Sequence, residues 1–508
     1  MPHRIGALTL AVSALACTAQ AEPAQPVFAR VDITPHVYDG GWEHFVGGGV
    51  AAFDCDGDQL PELFAAGGAN PATLFRNRSK DGVVFDAQTP EVLALRGVVG
   101  AYPLDIDSDG HLDLAVLRVG VDVLLQGQGD CNFQPFGADF GFMTGDHWST
   151  AFSATWEAGN ALPTLAFGTY VDRANPDGPF EACDATLLYR PEGGRYGPPD
   201  ALRPGYCALS MLFSDWARTG RADLRVSNDR HYYVRGGQEQ MWAMEATPRL
   251  YTAEEGWKPY ALWGMGIASR DVTGDGFSDV YLTSMGDQKF QIFDPGPGGP
   301  TWQDATYDRG TTAHRPHAGG DGRPSTGWHA AFGDVNADGL DDIFVSKGNV
   351  EQMPDAAMQD PNTLLMQQAD GRFVESSVAA GIASMARSRG AALVDFNNDG
   401  RLDLAVVNRR GPMEVFENIT NGGNWLLVDV QRAGSNRHAI GGFMELRVDG
   451  RVQTREITRG GGHAGGHAGL EHFGLGQAAA AELRMIWPDR TQTAWMPLKA
   501  NQIVTLGQ

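Results

Sequence analysis

Short segments of alternating aspartates recur along most of this chain. The fullest are Asp105-x-Asp107-x-Asp109-Gly110-x-x-Asp113, Asp334-x-Asn336-x-Asp338-Gly339-x-x-Asp342 and Asp395-x-Asn397-x-Asp399-Gly400-x-x-Asp403, each followed at once by an aliphatic residue. Oxygen side chains at positions 1, 3, 5 and 9 of so short a loop converge only if the backbone curls around one point, and glycine at position 6 permits the bend. Carboxylates packed this closely repel one another without a cation, whereas a hard divalent ion takes this many anionic oxygens. The chemistry predicted is coordination of Ca²⁺. An EF-hand would need a bidentate Glu at position 12 and a helix on each side. Position 12 after Asp105 is Val116, inside the apolar run Leu114-Ala115-Val116-Leu117, so the loop opens a strand instead.

Two weaker copies use Asp54, Asp56, Asp58 and Glu62, with Gln59 in the glycine slot, and Asp271, Thr273, Asp275 and Asp279. Two more have lost most ligands: one runs from Asp215 to Asp223, the other starts at Trp156 with Asn160 at position 5. For these two a plain acidic or turn role is the better reading. First positions at 54, 105, 156, 215, 271, 334 and 395 give a repeat of roughly 50 to 60 residues, the scale of a propeller blade. Within a unit, a small-residue strand (390–394) enters the loop and an apolar one (402–407) leaves it. A third (362–367) precedes the turn Asp370-Gly371, and a fourth starts at Phe373. The expected fold is all-β, a seven-bladed β-propeller in which ring closure leaves few exposed edges. Helices are disfavoured, since no long segment has a 3.6-residue apolar period and the chain holds 66 Gly and 28 Pro.

A formal charge of −23 over 508 residues argues against a nucleic-acid partner. Residues 1–21 read as a secretory signal peptide, with Arg4, an apolar run over 5–16 and Ala19-Gln20-Ala21, cleaved after Ala21. A lipoprotein alternative through Cys17 lacks the leucine three residues earlier. No segment is long and apolar enough for a transmembrane span, so a periplasmic or secreted protein is expected. Cys55, Cys131, Cys183 and Cys207 then remain, an even number in an oxidising compartment. Proximity in sequence favours Cys183 with Cys207, leaving Cys55 with Cys131. Without a Cys-x-x-Cys, a soft-metal site is not expected.

From about Asn421 the repeat stops. Residues 22–420 are expected to form the propeller and 421–508 a small β-rich module separable from it. The module contains a glycine-rich stretch, 460–469, with His463 and His467, followed by His472. With no carboxylate beside them on a glycine loop, these histidines are expected to be solvent or turn residues rather than zinc ligands. No Lys-Ser/Thr follows the glycines, so a phosphate cradle is not expected either.

The aspartate loops resemble the FG-GAP/VCBS repeats of integrin-type propellers. The tail, with Asn424-Trp425-Leu426, Ile440-Gly441, Thr454-Arg455-Glu456 and His472-Phe473-Gly474-Leu475-Gly476, resembles an ASPIC/UnbV module. Together they resemble bacterial relatives of the cartilage acidic protein family. The resemblance implies an extracellular calcium-bearing propeller acting in binding or adhesion, as a non-enzymatic scaffold for a protein or glycan. The alternative is a calcium-dependent polysaccharide lyase or hydrolase working in the propeller funnel. Lyase chemistry needs a base near a charge neutraliser, and the candidates are Asn228, Asp229, Arg230, His231, Tyr232 and Tyr233, with His314, Arg315, His317, Trp328 and His329. Their convergence on one deep pocket would favour the enzyme. A redox or quinone-binding reading lacks a cofactor signature. The sequence names neither ligand, binding face nor oligomeric state.

Overall fold

A computed structural model describes residues 24–229, 235–296 and 298–508. The expected leader and Cys17 lie outside them. Among the described residues the chain is all-β, built of antiparallel four-stranded units in sequence order. The first unit is Val50–Phe53, Glu62–Ala65, Thr73–Asn77 and Phe85–Ala87, each strand paired with the next. Six further units follow the same order. Their first strands are Val98–Leu104, His147–Thr155, Ala208–Ser214, Gly264–Arg270, Gly327–Gly333 and Ser388–Val394. These seven first strands touch one another in cyclic sequence, and Ser388–Val394 returns to Val50–Phe53, which makes the architecture a β-propeller.

The seventh sheet draws on both ends of the ring. Ser388–Val394, Asp403–Asn408 and Glu414–Asn418 supply three strands, and the fourth is Phe28–Val31, registered Phe28 to Asn418 and Val31 to Val415. Glu414–Asn418 is thus the third strand, and the N-terminal strand covers its open edge. Inner strands are rich in small residues and mostly buried, wholly so at 50–53 (VAAF) and 388–394, because they crowd toward the axis. Cys55 is bonded to Cys131 and Cys183 to Cys207.

After the ring come a three-stranded sheet (Glu471–Gly476, Asn424–Gln431, Gln502–Gly507) and a four-stranded one (Arg451–Glu456, Phe443–Val448, Ala480–Ile486, Met496–Lys499). Leu426, Phe473, Leu446, Leu483 and Trp487 are buried between them. This module is not peripheral. Its glycine-rich segment leaves the sheets and enters the axis of the ring. His467–Ala468 pairs in parallel with Val50–Phe53. Gly461 N–H donates to Met211 O and Gly462 N–H to Ile267 O, both at 2.7 Å. Ser153 Oγ donates to Arg459 O at 2.7 Å, and Tyr102 O–H to Gly461 O at 3.1 Å. The approach is so close that a Cβ on Gly100 would lie 1.6 Å from Ala464 O, and one on Gly49 1.8 Å from it. The module expected to be separable is in contact with the ring along its axis, where a strap from the C-terminal segment satisfies hydrogen-bonding groups on the inner strands. His463 and His472 are likewise buried, not solvent residues.

Candidate metal-binding loops and their cap

All five acid-rich loops join the first strand of a unit to the second, and they share one hydrogen-bonding scheme. The position-1 carboxylate accepts the N–H of position 6: Gln59 to Asp54, Gly110 to Asp105, Gly276 to Asp271, Gly339 to Asp334 and Gly400 to Asp395, at 2.7 to 3.1 Å. Position 5 accepts the N–H two residues on, as Asp58, Asp109, Asp275, Asp338 and Asp399 all do. Position 9 clamps the loop to the sheet. Asp113 accepts Ile106 N–H at 2.7 Å and Gly127 N–H, from the third strand, at 2.8 Å. Glu62, Asp279, Asp342 and Asp403 take the same two kinds of donor.

What remains unpaired is informative. Asp105 Oδ1, Asp56 Oδ1, Asn336 Oδ1 and Asn397 Oδ1 are buried without a hydrogen-bond partner, each at position 1 or 3 of its loop. Ligand oxygens of Asp54, Asp56 and Asp58 lie within 4.8 Å of one another, as do those of Asp105, Asp107 and Asp113. Asp271, Asp275 and Asp279 are not drawn together that tightly, and Thr273 enters only through its N–H to Asp279. Asn336 and Asn397 donate to Asp338 and Asp399 at 3.1 and 2.9 Å. Arg76 reaches Asp56 at 2.5 Å, and Arg401 pairs with Asp399. Cys55, Glu62 and Cys131 also cluster, but the disulfide consumes both thiols.

Burial pushes these carboxyls up, with neighbouring acids adding to the shift. Asp105 and Asp271 rise to about 6, Asp279, Asp395 and Glu62 to about 7, and Asp113 to about 9, while Asp334, Asp342 and Asp403 also rise well above their usual range. An oxygen-only donor set this costly to ionise suits a hard divalent cation, whose charge would reverse the shift. The loop at Asp215 keeps the backbone scheme, with Gly220 N–H donating to Asp215 at 2.7 Å. Its ligand slots hold Ala217 and Thr219, and its charge faces Arg490 at 3.6 Å.

The C-terminal module sits on this loop face, a relationship the sequence does not signal beyond its run of glycines. Gly423 N–H donates to Asn336 O at 3.0 Å and Gly476 N–H to Ala337 O at 2.9 Å. His472 Nε2 donates to Gly400 O at 2.9 Å, and Asn436 N–H to Ser108 Oγ at 3.2 Å. Glu456 accepts Ser214 O–H and Asp215 N–H, both at 2.6 Å. The funnel proposed for a lyase is occupied by this strap, and the suggested residues scatter. His329 Nδ1 accepts His463 N–H, whereas His317 meets Ser377 Oγ at 2.8 Å and Asn228 bonds Gln238 and Gln240. Arg230, His231, Tyr232 and Tyr233 lie outside the described residues.

Residues 54–116 match the FG-GAP-like repeat family and residues 432–508 the ASPIC and UnbV family. The fold is thus a propeller that matches the FG-GAP-like repeat family over its first loops and carries a C-terminal segment matching the ASPIC and UnbV family. Over about a third of its length the chain is similar to cartilage acidic protein 1. It is 28% identical to the Mus musculus protein over 159 residues (30% of this chain, 22% of that protein), and 26% identical to the Homo sapiens protein over 175 residues (33% and 24%). The chain therefore spans about a quarter of the length of the curated relatives it matches. Among solved structures it is similar to BBS1N in complex with ARL6DN (TM-score 0.45, 10% identity, 77% of this chain and 97% of that one). It is also similar to an Agrocybe aegerita lectin (TM-score 0.38, 14% identity, 72% and 94%).

Proposed function

We propose that the protein is a Ca²⁺-bearing, non-enzymatic scaffold of the periplasm or cell exterior that binds an extracellular protein or glycan. The observation that carries the calcium reading is the set of buried, unpaired oxygens at positions 1 and 3 of four loops. Asp54, Asp56, Asp58 and Glu62 would hold one ion, and Asp105, Asp107, Asp109 and Asp113 another. The loops at 271, 334 and 395 would hold the others. The ion's role is structural: it offsets repulsion among buried acids and fixes the face on which the module rests. Both disulfides support an oxidising compartment. Because strap and module occupy the funnel and the loop face, the partner surface falls to the opposite face or the rim.

Metal content by native mass spectrometry, with melting in millimolar Ca²⁺ and in excess EGTA, tests the reading. At free Ca²⁺ of about ten times Kd, each site adds roughly 1.4 kcal/mol. Identical melting in both buffers, with no bound metal in either, would refute it.

A further inference from the structure

The module does not cover the loop face evenly. Beside the third and fourth units, whose loops have lost most cation ligands, it leaves a cleft of about 420 Å³ between the loops at Trp156 and Asp215 and its own residues 432–441 and 488–489. Among the described residues no hydrogen bond joins 156–161 to the module, unlike the loops of the second, sixth and seventh units. Each carboxylate on the cleft wall is already engaged. Glu157 takes Arg190 and the Thr164 hydroxyl, both at 2.8 Å, and Asp215 takes two backbone N–H groups of its own loop at 2.7 Å. Asp489 takes the Thr491 N–H and hydroxyl. The one cation on the wall is not engaged. Arg432 feels the charge of Asp489 but makes no ion pair with it, its Nε is buried without a partner, and its guanidinium makes no hydrogen bond among the described residues. Such a donor carries the cost of lost hydration without a compensating bond. Trp156 lines the same cleft, partly buried, and its indole N–H is directed to Ala161 O at 3.4 Å, which leaves only the ring to meet a ligand. The Asn160 side chain, also on the wall, makes no hydrogen bond among the described residues.

We infer that this cleft binds an acidic sugar, a hexuronate unit with one carboxylate. That carboxylate would accept from the planar guanidinium of Arg432. The apolar C–H face of the pyranose ring would lie against the Trp156 indole. Asn160 can both donate to and accept from ring hydroxyls, and Asp489 keeps acceptor capacity for one more. A simple anion would use Arg432 and leave the aromatic wall and Asn160 idle, whereas a neutral sugar would leave Arg432 unmatched. The volume lies in the range of about 300–1,000 Å³ typical of small-molecule sites. No residue on this wall is a ligand in the five acid-rich loops, so the site is additional to the scaffold's partner surface and does not depend on the calcium reading.

Calorimetric titration and ligand-observed NMR on the full chain, with methyl β-D-glucuronide, methyl β-D-glucoside and acetate, test it. The glucuronide should bind, and the glucoside and acetate should each be weaker by at least about tenfold. Arg432→Gln should weaken the glucuronide by about tenfold or more. Arg432→Lys should weaken it too, because an ammonium lacks the two-pronged donor. If one variant does not fold, the other and the three ligands on the unaltered chain decide. Glucoside or acetate matching the glucuronide overturns the assignment, as does undiminished binding by Arg432→Gln. Metal content read on the same samples separates the two proposals. Glucuronide binding by a chain that holds no metal in millimolar Ca²⁺ would sink the calcium reading alone, and bound metal without glucuronide binding would sink this one alone.

Discussion

The His463 imidazole meets the Trp328 indole edge to face in the ring axis, with centroids 5.0 Å apart, and the Arg389 guanidinium lies over the same indole at 3.9 Å. Gly47 N–H donates to His463 Nε2 at 3.1 Å, so Nδ1 carries the proton that bonds Met265 O at 3.0 Å. One residue of the C-terminal strap therefore touches the entry to the first unit and the inner strands of the fifth and sixth. Bonds so distributed make the strap a tie across the ring.

Truncation should expose this dependence. A chain ending at Ile419 keeps all seven sheets, including the Phe28–Val31 closure, but loses every bond from the strap to the inner strands. Buried donors and acceptors left unpaired cost about 1–3 kcal/mol each, so we expect aggregation or loss of a cooperative melt. Size-exclusion chromatography and circular dichroism check it, and a soluble β-rich monomer would contradict it.

The same burial gives an acid-side signature. Desolvation lowers His463 and His472 to about 4 and His329 to about 3, against 6.5 when unfolded. Below pH 6.5 the unfolded chain binds protons that the folded one does not, so stability falls as pH falls toward the folded values. Each histidine contributes up to about 1.4 kcal/mol per pH unit. His463→Gln should flatten the slope of unfolding free energy between pH 4 and 6.5 by about one proton relative to the parent chain. An unchanged slope would show that His463 is not held neutral.

Much of this architecture was legible because each loop encodes its own turn. Asp105, Gly110 and Asp113 bond within nine residues, so local spacing dictates the geometry, and the repeat of that spacing dictates the ring. The strap was not legible. Gly49, Gly100 and Gly460–Gly469 are far apart in sequence, and nothing local tells a glycine needed for close approach from one needed for a turn. His463 misled for the same reason, since its partners, Gly47, Met265 and Trp328, are contributed by distant units. Phe28–Val31 escaped notice because the repeat it completes begins 360 residues later, at Ser388.

The loops should differ in stoichiometry. Asp107 is grouped with Asp105 and Asp113, and Asp399 stands beside the unpaired Asn397 oxygen, whereas Asp215 already has backbone donors and Arg490. Asp107→Ala and Asp399→Ala should each lower bound Ca²⁺ by about one ion per chain. Asp215→Ala should leave the count unchanged whatever it does to stability. Native mass spectrometry reads this directly, and loss of an ion from the Asp215 variant alone would reverse the ranking.

Gly100 offers the sharpest test of the strap without deleting it. Its backbone is not left-handed, so alanine there meets no φ penalty, and the cost comes from a Cβ placed 1.6 Å from Ala464 O. Gly57 is the converse case: its φ is +84° but nothing lies within 4 Å of an added Cβ. Gly57→Ala should therefore cost about 1 kcal/mol, the penalty of left-handed backbone. Gly100→Ala must displace a backbone carbonyl held in the axis, which goes beyond the usual overpacking cost of about 1–3 kcal/mol. Denaturant unfolding of the two variants in the same buffer gives the comparison. Gly100→Ala should be the more destabilised by at least about 2 kcal/mol, with faster amide exchange over 459–468. Equal destabilisation would mean that the strap yields easily and does not tie the ring.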